Sequence, residues 1–156
     1  MDPGQEFIPQ KLPGGQKKVD HSRIYVSGLG YYVLYFNGKR IGDHVLDPAC
    51  TDFDKLALYA AYDVDAEMLE GENAIGVALG SGRYSPNDLT CEKNWHPLKK
   101  YGPSPVLILQ QHIWYQDGTM EIITTGTDWK TTQGPIVFDD IYDGETYDAR
   151  RELPGW

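Results

Sequence analysis

The chain has 156 residues, of which 40% are apolar and 24% are charged, and this size and composition indicate a single globular domain. Its net charge of −9 argues against nucleic acid as a partner, because binding phosphates requires a basic face. No apolar run is long enough to span a bilayer, so the sequence also predicts no membrane partner.

The first 20 residues differ in composition from the rest of the chain. They begin MDPGQEFIPQKLPGGQKK, and this richness in Pro, Gly and Gln predicts a flexible leader or a cloning remnant over residues 1–20, followed by a folded domain over residues 21–156. The leader lacks the apolar central region of a signal peptide. Cys50 and Cys91 form no CxxC pattern and are predicted to be separate thiols. The sequence therefore leaves a cytoplasmic and a periplasmic or extracellular location open.

From Ser22 onward, short β-branched and aromatic runs alternate with turn signals. Asn37-Gly38 between two apolar runs predicts a tight hairpin turn, because both residues tolerate positive φ, and Asp117-Gly118 is a second signal of this type. Only DAEMLEGEN suggests a helical turn. Strands are predicted near residues 23–27, 31–36, 39–46, 56–64 and 73–80, over VLILQQHIWY and MEIITT, and within DWKTTQGPI. Eight or nine strands with almost no helix predict an all-β sandwich or jelly roll.

Residues 81–104 form the longest irregular stretch, and loops of this length in a compact domain are usually functional or mobile. Aromatic rings can stack on the apolar faces of sugars while polar neighbours bind the hydroxyls. The alternative is that Trp95 and Tyr101 only anchor the loop, and the sequence favours neither. Trp114 and Trp129 lie in strands and are assigned to the core. The candidate carbohydrate-binding residues are Arg83, Tyr84, Asn87, Asp88, Asn94, Trp95 and Tyr142.

The segment FDDIYDGETYDAR, residues 138–150, holds five carboxylates. A glycosidase needs two carboxyl groups facing each other across a cleft, and one local segment seldom provides both, so no catalytic residue is predicted. The four histidines show no zinc-ligand spacing. Calcium is the metal hypothesis, and the alternative is a solvated turn in which Asp side chains cap backbone amides. The candidate calcium ligands are Asp139, Asp140, Asp143 and Glu145.

Three stretches together resemble the N-terminal, non-catalytic domain of bacterial α-L-rhamnosidases: RIYVSGLGYYVLYFNGKRIGDHVLDPACTDFDK, ENAIGVALGSGRY and GPIVFDDIYDGETYDARRELPGW. The likeness covers about residues 22–156. It implies a jelly-roll β-sandwich similar to galactose-binding modules, an accessory role in a glycoside hydrolase, and a separate (α/α) barrel that carries the catalytic acids. Some related modules bind L-rhamnose with the help of calcium, so a rhamnosyl glycan and calcium are the implied ligands, and no cofactor is required.

Two positions depart from the family pattern, because Cys50 and Arg83 stand where the family commonly has Trp. The resemblance therefore implies altered or lost sugar binding at these positions. We expect the 81–104 loop and the acidic segment to lie at one end of the sandwich, where such folds place function. The remaining alternatives are a carbohydrate-recognition module, a module that positions the catalytic barrel, and a purely structural interdomain module without a ligand. An independent hydrolase is not expected.

Overall fold

The fold is all-β, as the sequence predicts. The computed structural model describes residues 5–12, 17–86 and 100–152, and within them it has eleven strands and two short 3₁₀ turns, at Asp65–Glu67 and Ala149–Arg151. The strands are β1 Gln5–Leu12, β2 Val19–Leu29, β3 Tyr31–Phe36, β4 Lys39–Ile41, β5 Ala60–Asp63, β6 Asn73–Gly80, β7 Val106–Tyr115, β8 Met120–Thr124, β9 Thr131–Gln133, β10 Ile136–Asp140 and β11 Gly144–Tyr147. No helix in the described residues is long and apolar enough to cross a membrane.

Two antiparallel sheets form a sandwich. One sheet has the order β4-β3-β6-β1-β9, the other has the order β5-β2-β7-β8, and β10 and β11 form a separate hairpin. Alternate residues of each strand point into the space between the sheets. Their side chains are almost completely buried, and each contributes about 2 kcal/mol through removal of apolar surface from water. The centre of this core is Ile24, Val26, Leu34, Phe36, Ile75, Val77 and Leu109.

The predicted turn between β3 and β4 is confirmed. Asn37 and Gly38 both have positive φ, 51° and 76°, which is the geometry that two-residue hairpins require. The Asn37 side chain also donates to the carbonyl oxygen of Glu67 at 2.9 Å and accepts from the backbone N–H of Ala74 at 2.8 Å. The turn is thereby attached to β6 and to the first 3₁₀ turn.

The structure differs from the sequence prediction in the length of two strands. β4 ends at Ile41 rather than at residue 46, because Gly42 and Leu46 adopt positive φ and leave the extended conformation. β5 begins at Ala60 rather than at residue 56. The residues before it form a turn, in which the N–H of Leu56 donates to the carbonyl oxygen of Asp52 at 2.9 Å.

The N-terminal segment also differs from the expectation of a flexible leader. Gln5–Leu12 is a strand that pairs with both β6 and β9, so it lies inside the larger sheet. Pro9 falls in the register shift between Phe7 and Gln10, where its missing N–H interrupts no regular ladder hydrogen bond. Leader residues 1–4 and 13–16 lie outside the described residues.

One cluster of phenols joins the sandwich to the loop after β4. The hydroxyl of Tyr32 donates to Asp47 Oδ2 at 2.9 Å, and the hydroxyl of Tyr62 donates to the same oxygen at 3.1 Å. Burial is the main cause that raises the pKa of Tyr32 above its ordinary value, and its hydrogen bonds to Tyr62 and Asp47 add to it. The folded state therefore favours the neutral phenol.

This shift predicts a loss of stability at alkaline pH. Because the folded pKa of Tyr32 is raised, its contribution is complete below the unfolded pKa of about 10 and is lost as pH rises above it, by at most about 1.4 kcal/mol per pH unit. Urea unfolding between pH 8 and 11.5 should show a shallower fall for Tyr32→Phe than for the wild type. The matched control is Tyr59→Phe, which removes a phenol that is 68% exposed. Identical slopes for Tyr32→Phe and wild type would contradict the assignment.

A buried polar pair in the core gives a second prediction. Gln111 Nε2 donates to Ser22 Oγ at 2.8 Å, while Gln111 Oε1 is the one buried side-chain polar atom without a partner in the described residues. Ser22→Ala should lower the free energy of unfolding by about 1.5 kcal/mol, because it leaves the amide of Gln111 without its oxygen acceptor. The double variant Ser22→Ala/Gln111→Met should recover wild-type stability or exceed it. Additive losses in urea unfolding would disprove this account.

Candidate functional site

The acidic segment folds into the β10–β11 hairpin. Asp140 Oδ1 accepts hydrogen bonds from the backbone N–H groups of Tyr142 at 2.7 Å and Asp143 at 3.1 Å. Gly144, with a φ of 80°, closes the turn and begins β11. Asp140 therefore caps the turn. This agrees with the alternative to calcium binding, in which Asp side chains accept hydrogen bonds from backbone amides.

Asp139 fastens this hairpin to the larger sheet. Its Oδ2 accepts from the backbone N–H of Ser81 at 2.6 Å, and its Oδ1 accepts from Ser81 Oγ at 2.8 Å. The space for this contact exists because Gly80 has no side chain, since a Cβ there would lie 3.1 Å from Asp139 Oδ2. The hairpin and the start of the 81–104 loop are therefore held together at the end of β6.

The contact between Arg83 and Tyr142 follows from this attachment. Arg83 Nη2 donates to Tyr142 Oη at 2.8 Å, and the guanidinium carbon lies 5.8 Å from the centroid of the ring. Tyr142 nevertheless keeps 57% of its surface exposed. The two residues stand 59 positions apart in the sequence.

Tyr31 lies beside this pair and was not among the predicted site residues. Burial is the main cause that raises its pKa, with smaller electrostatic effects from Cys50, Arg83 and Tyr142. The thiol of Cys50 is free and exposed. Cys50 and Arg83 therefore both act electrostatically on Tyr31, whose ring lies against Gly82, the residue before Arg83. The signal for Tyr31 was the alternation in YYVLYF, which directs it away from the core residue Tyr32.

Tyr84 belongs to a different cluster. Its carbonyl oxygen accepts from the backbone N–H groups of Tyr101 and Gly102 at 3.0 and 3.3 Å, and its ring is nearly parallel to that of Tyr101, with centroids 6.2 Å apart. Phe53 meets both rings edge-on, at 5.5 and 5.2 Å. These contacts join the two ends of the 81–104 segment, which favours the anchoring role for Tyr101. The candidates Asn87, Asp88, Asn94 and Trp95 lie outside the described residues.

The four predicted calcium ligands do not form a cluster in the described part of the chain. Asp139 and Asp140 are consecutive strand residues and use their oxygens for Ser81 and for the turn. Asp143 lies in the turn, and Glu145 pairs with Asp139 in the hairpin register. In residues 17–86 and 100–152 no group of three or more His, Cys, Asp or Glu side chains could hold a metal ion. Calcium binding stays a prediction that this geometry does not support.

Fold and site together define a β-sandwich domain with a hairpin attached to its larger sheet at the end of β6. The family model of the α-L-rhamnosidase N-terminal domain matches residues 17–156. The chain therefore belongs to this family, and the resemblance stated from its motifs is confirmed.

Relatives support the same assignment. An α-L-rhamnosidase of Formosa agariphila is 45% identical over 143 residues, which are 90% of this chain and 15% of that protein. The structure of the α-L-rhamnosidase from Dictyoglumus thermophilum has a TM-score of 0.85 at 43% identity and covers 99% of this chain and 16% of its own. The structure of the Streptomyces avermitilis α-L-rhamnosidase complexed with L-rhamnose has a TM-score of 0.86 at 39% identity, and the match covers 99% of this chain and 14% of that protein. The chain thus spans about one seventh of the length of these relatives.

The Asp139–Ser81 contact gives a stability prediction. Asp139→Ala should lower the free energy of unfolding by about 2 kcal/mol, because two hydrogen bonds to a carboxylate are lost and the Ser81 N–H loses its acceptor. Urea unfolding measures this difference. Asp143→Ala removes an exposed carboxylate from the same hairpin and should change stability by less than about 0.5 kcal/mol. Equal effects of the two substitutions would show that the hairpin does not depend on Ser81.

Proposed function

We propose that the chain is a non-catalytic accessory domain of an α-L-rhamnosidase and that it recognises carbohydrate at the Arg83–Tyr142 surface, formed by Tyr31, Arg83 and Tyr142. The observation that carries this proposal is the hydrogen bond between Arg83 and the exposed ring of Tyr142, which brings two distant segments together. A sugar-binding site needs an apolar plane beside hydrogen-bonding groups. This surface has both.

The chemistry of the pair suits a neutral sugar. The exposed ring of Tyr142 can stack on the C–H face of a pyranose. Arginine has five N–H donors in a rigid fork, and the bond to Tyr142 uses one of them, so the guanidinium can also donate to sugar hydroxyls. Tyr31 adds a second phenol to this surface, since its ring lies against Gly82, the residue before Arg83.

A non-catalytic role agrees with the use of the acidic side chains. Asp139 attaches the hairpin to Ser81, and Asp140 caps the turn. Hydrolysis of a glycoside by two carboxyl groups requires them to flank the scissile bond, whereas Asp139 and Asp140 accept hydrogen bonds from Ser81 and from the backbone of the turn. We assign the chemistry to other domains of the parent enzyme, and L-rhamnose is the sugar to test first.

Isothermal titration with L-rhamnose, with and without calcium, tests the proposal. We expect weak binding to the wild-type chain and at least tenfold weaker binding for Tyr142→Ala and for Arg83→Ala, because each removes one half of the surface. Tyr147→Ala is the matched control, since Tyr147 is 52% exposed on the neighbouring strand of the same hairpin. Absence of heat under both conditions would refute carbohydrate binding by this domain. Turnover of p-nitrophenyl α-L-rhamnoside by the chain would refute its non-catalytic role.

A further inference from the structure

The outer face of the four-stranded sheet is unusually apolar. Along β7 and β8 the residues that point away from the core include Val106, Ile108, Met120 and Ile122, which are 46%, 60%, 51% and 47% exposed. The strand register places Met120 opposite Trp114 and Ile122 opposite His112, so these side chains share one surface. An antiparallel sheet with one solvated face normally alternates apolar residues inside with polar residues outside.

A row of aromatic rings crosses the same face. The rings of Trp114 and His21 stack with centroids 4.2 Å apart and an interplanar angle of 12°. His112 lies 5.6 Å from Trp114 and 5.1 Å from Tyr25, and Tyr59 continues the row at 6.1 Å from Tyr25. Trp114 is therefore on the outside of the sheet. Its predicted place in the core is wrong, because β7 directs its alternate residues Leu109, Gln111 and Ile113 inward.

Charge is scarce on this face although the chain carries a net charge of −9. The outward positions of β7 and β8 hold no carboxylate and no Lys or Arg. On β2 the outward Arg23 is paired with Asp63 through two hydrogen bonds of 2.6 and 3.1 Å. Depletion of charge together with enrichment in aromatic residues and Met is the composition of the centre of a protein interface.

We propose that this face, defined by Tyr25, Ile108, Trp114, Met120 and Ile122, docks against an apolar surface of another domain of the same α-L-rhamnosidase chain. The inference rests on the assignment of the domain to a larger enzyme, and it does not depend on carbohydrate binding. Branched aliphatic side chains share this face with the rings, and such an uneven surface fits a protein better than the flat face of a sugar.

The size of the face favours a tethered domain over a second copy of this chain. Three strands spaced about 4.8 Å apart and about 17 Å long give roughly 250–300 Å². A stable dimer between free chains buries about 800 Å² per partner, whereas interfaces between domains of one chain begin near about 600 Å² in total. The Formosa agariphila relative carries about 85% of its length outside the matched region. Two domains joined by a short flexible linker have an effective concentration on the order of 1 mM, so a small face is enough for docking within one chain.

Hydroxyl-radical footprinting of two samples tests the proposal: the 156-residue chain, and the full-length rhamnosidase chain that contains this domain. We expect labelling of Met120, Trp114 and Tyr59 to be at least fivefold lower in the longer chain. Tyr142 and Leu69 are internal controls, being 57% and 59% exposed away from this face, and their labelling should not change. Equal labelling of Met120 and Trp114 in both samples would overturn the proposal.

Variants of the longer chain show whether protection of Met120 depends on the apolar character of this face. Ile108→Lys/Ile122→Lys should restore labelling of Met120 to the level of the 156-residue chain, and Val45→Lys/Leu69→Lys, with the same charge change off the sheet, should not. If the lysine variant fails to fold, Ile108→Thr/Ile122→Thr replaces it, because threonine keeps the β-branching that strands favour. This variant should restore part of the labelling of Met120.

Two further outcomes would replace the proposed occupant. Protection in the 156-residue chain that grows with protein concentration would identify a second copy, and protection of Met120 by added L-rhamnose would identify a sugar. If L-rhamnose gives no heat in the titration but Met120 and Trp114 are still protected fivefold in the longer chain, the carbohydrate proposal is refuted and the docking proposal stands.

Discussion

The burial of one face of each sheet against the other is the constraint on which the structure depends. Because side chains alternate along a strand, every residue that enters the core directs its neighbours to the opposite face. Tyr32, Leu34 and Phe36 fill the interior from β3, and Tyr31, Val33 and Tyr35 therefore point outward. The location of any binding surface on this domain follows from that division.

On the outer side of the larger sheet, the pairing of large with small residues makes room for the acidic hairpin. Tyr31 pairs with Gly80 across the β3–β6 ladder, and Tyr35 pairs with Gly76. The missing side chain of Gly80 allows Asp139 to reach Ser81. A carboxylate that looked like a ligand in the sequence is thereby used to position the hairpin, and the hairpin in turn places Tyr142 against Arg83.

Much of the fold could be predicted from local signals, because strand alternation and turn chemistry act over a few residues. Asn37-Gly38 predicted its hairpin, and β6 was predicted with the bounds that it has, Asn73–Gly80. The N-terminal strand was missed, because its Pro and Gln content suggests a leader and its pairing partners β6 and β9 are distant in sequence. Trp114 was misplaced because an apolar run such as VLILQQHIWY does not reveal which of its two faces is buried.

The candidate site was predictable only in part, for a related reason. Residue types and the length of the 81–104 segment indicated a loop surface with Arg83 and Tyr142, but the contact that joins them depends on Asp139 and Ser81, which are 58 positions apart. The aromatic ring of Tyr84 makes it a candidate from the sequence, but in the structure that ring stacks on Tyr101 and joins the two ends of the segment.

The two proposed surfaces lie on opposite sides of the sandwich, so one domain can use both at the same time. The Arg83–Tyr142 surface is attached to the end of β6 in the five-stranded sheet, whereas Trp114 and Ile122 point outward from the four-stranded sheet. A neighbouring domain that covered the second sheet would leave Tyr142 exposed. Docking would then fix the orientation of the proposed carbohydrate surface relative to the rest of the enzyme, because the close-packed core between the two sheets has low compressibility and holds them in a fixed relation. In this arrangement the proposed recognition of carbohydrate and the proposed docking would both follow from the same sandwich, and they need not be alternatives.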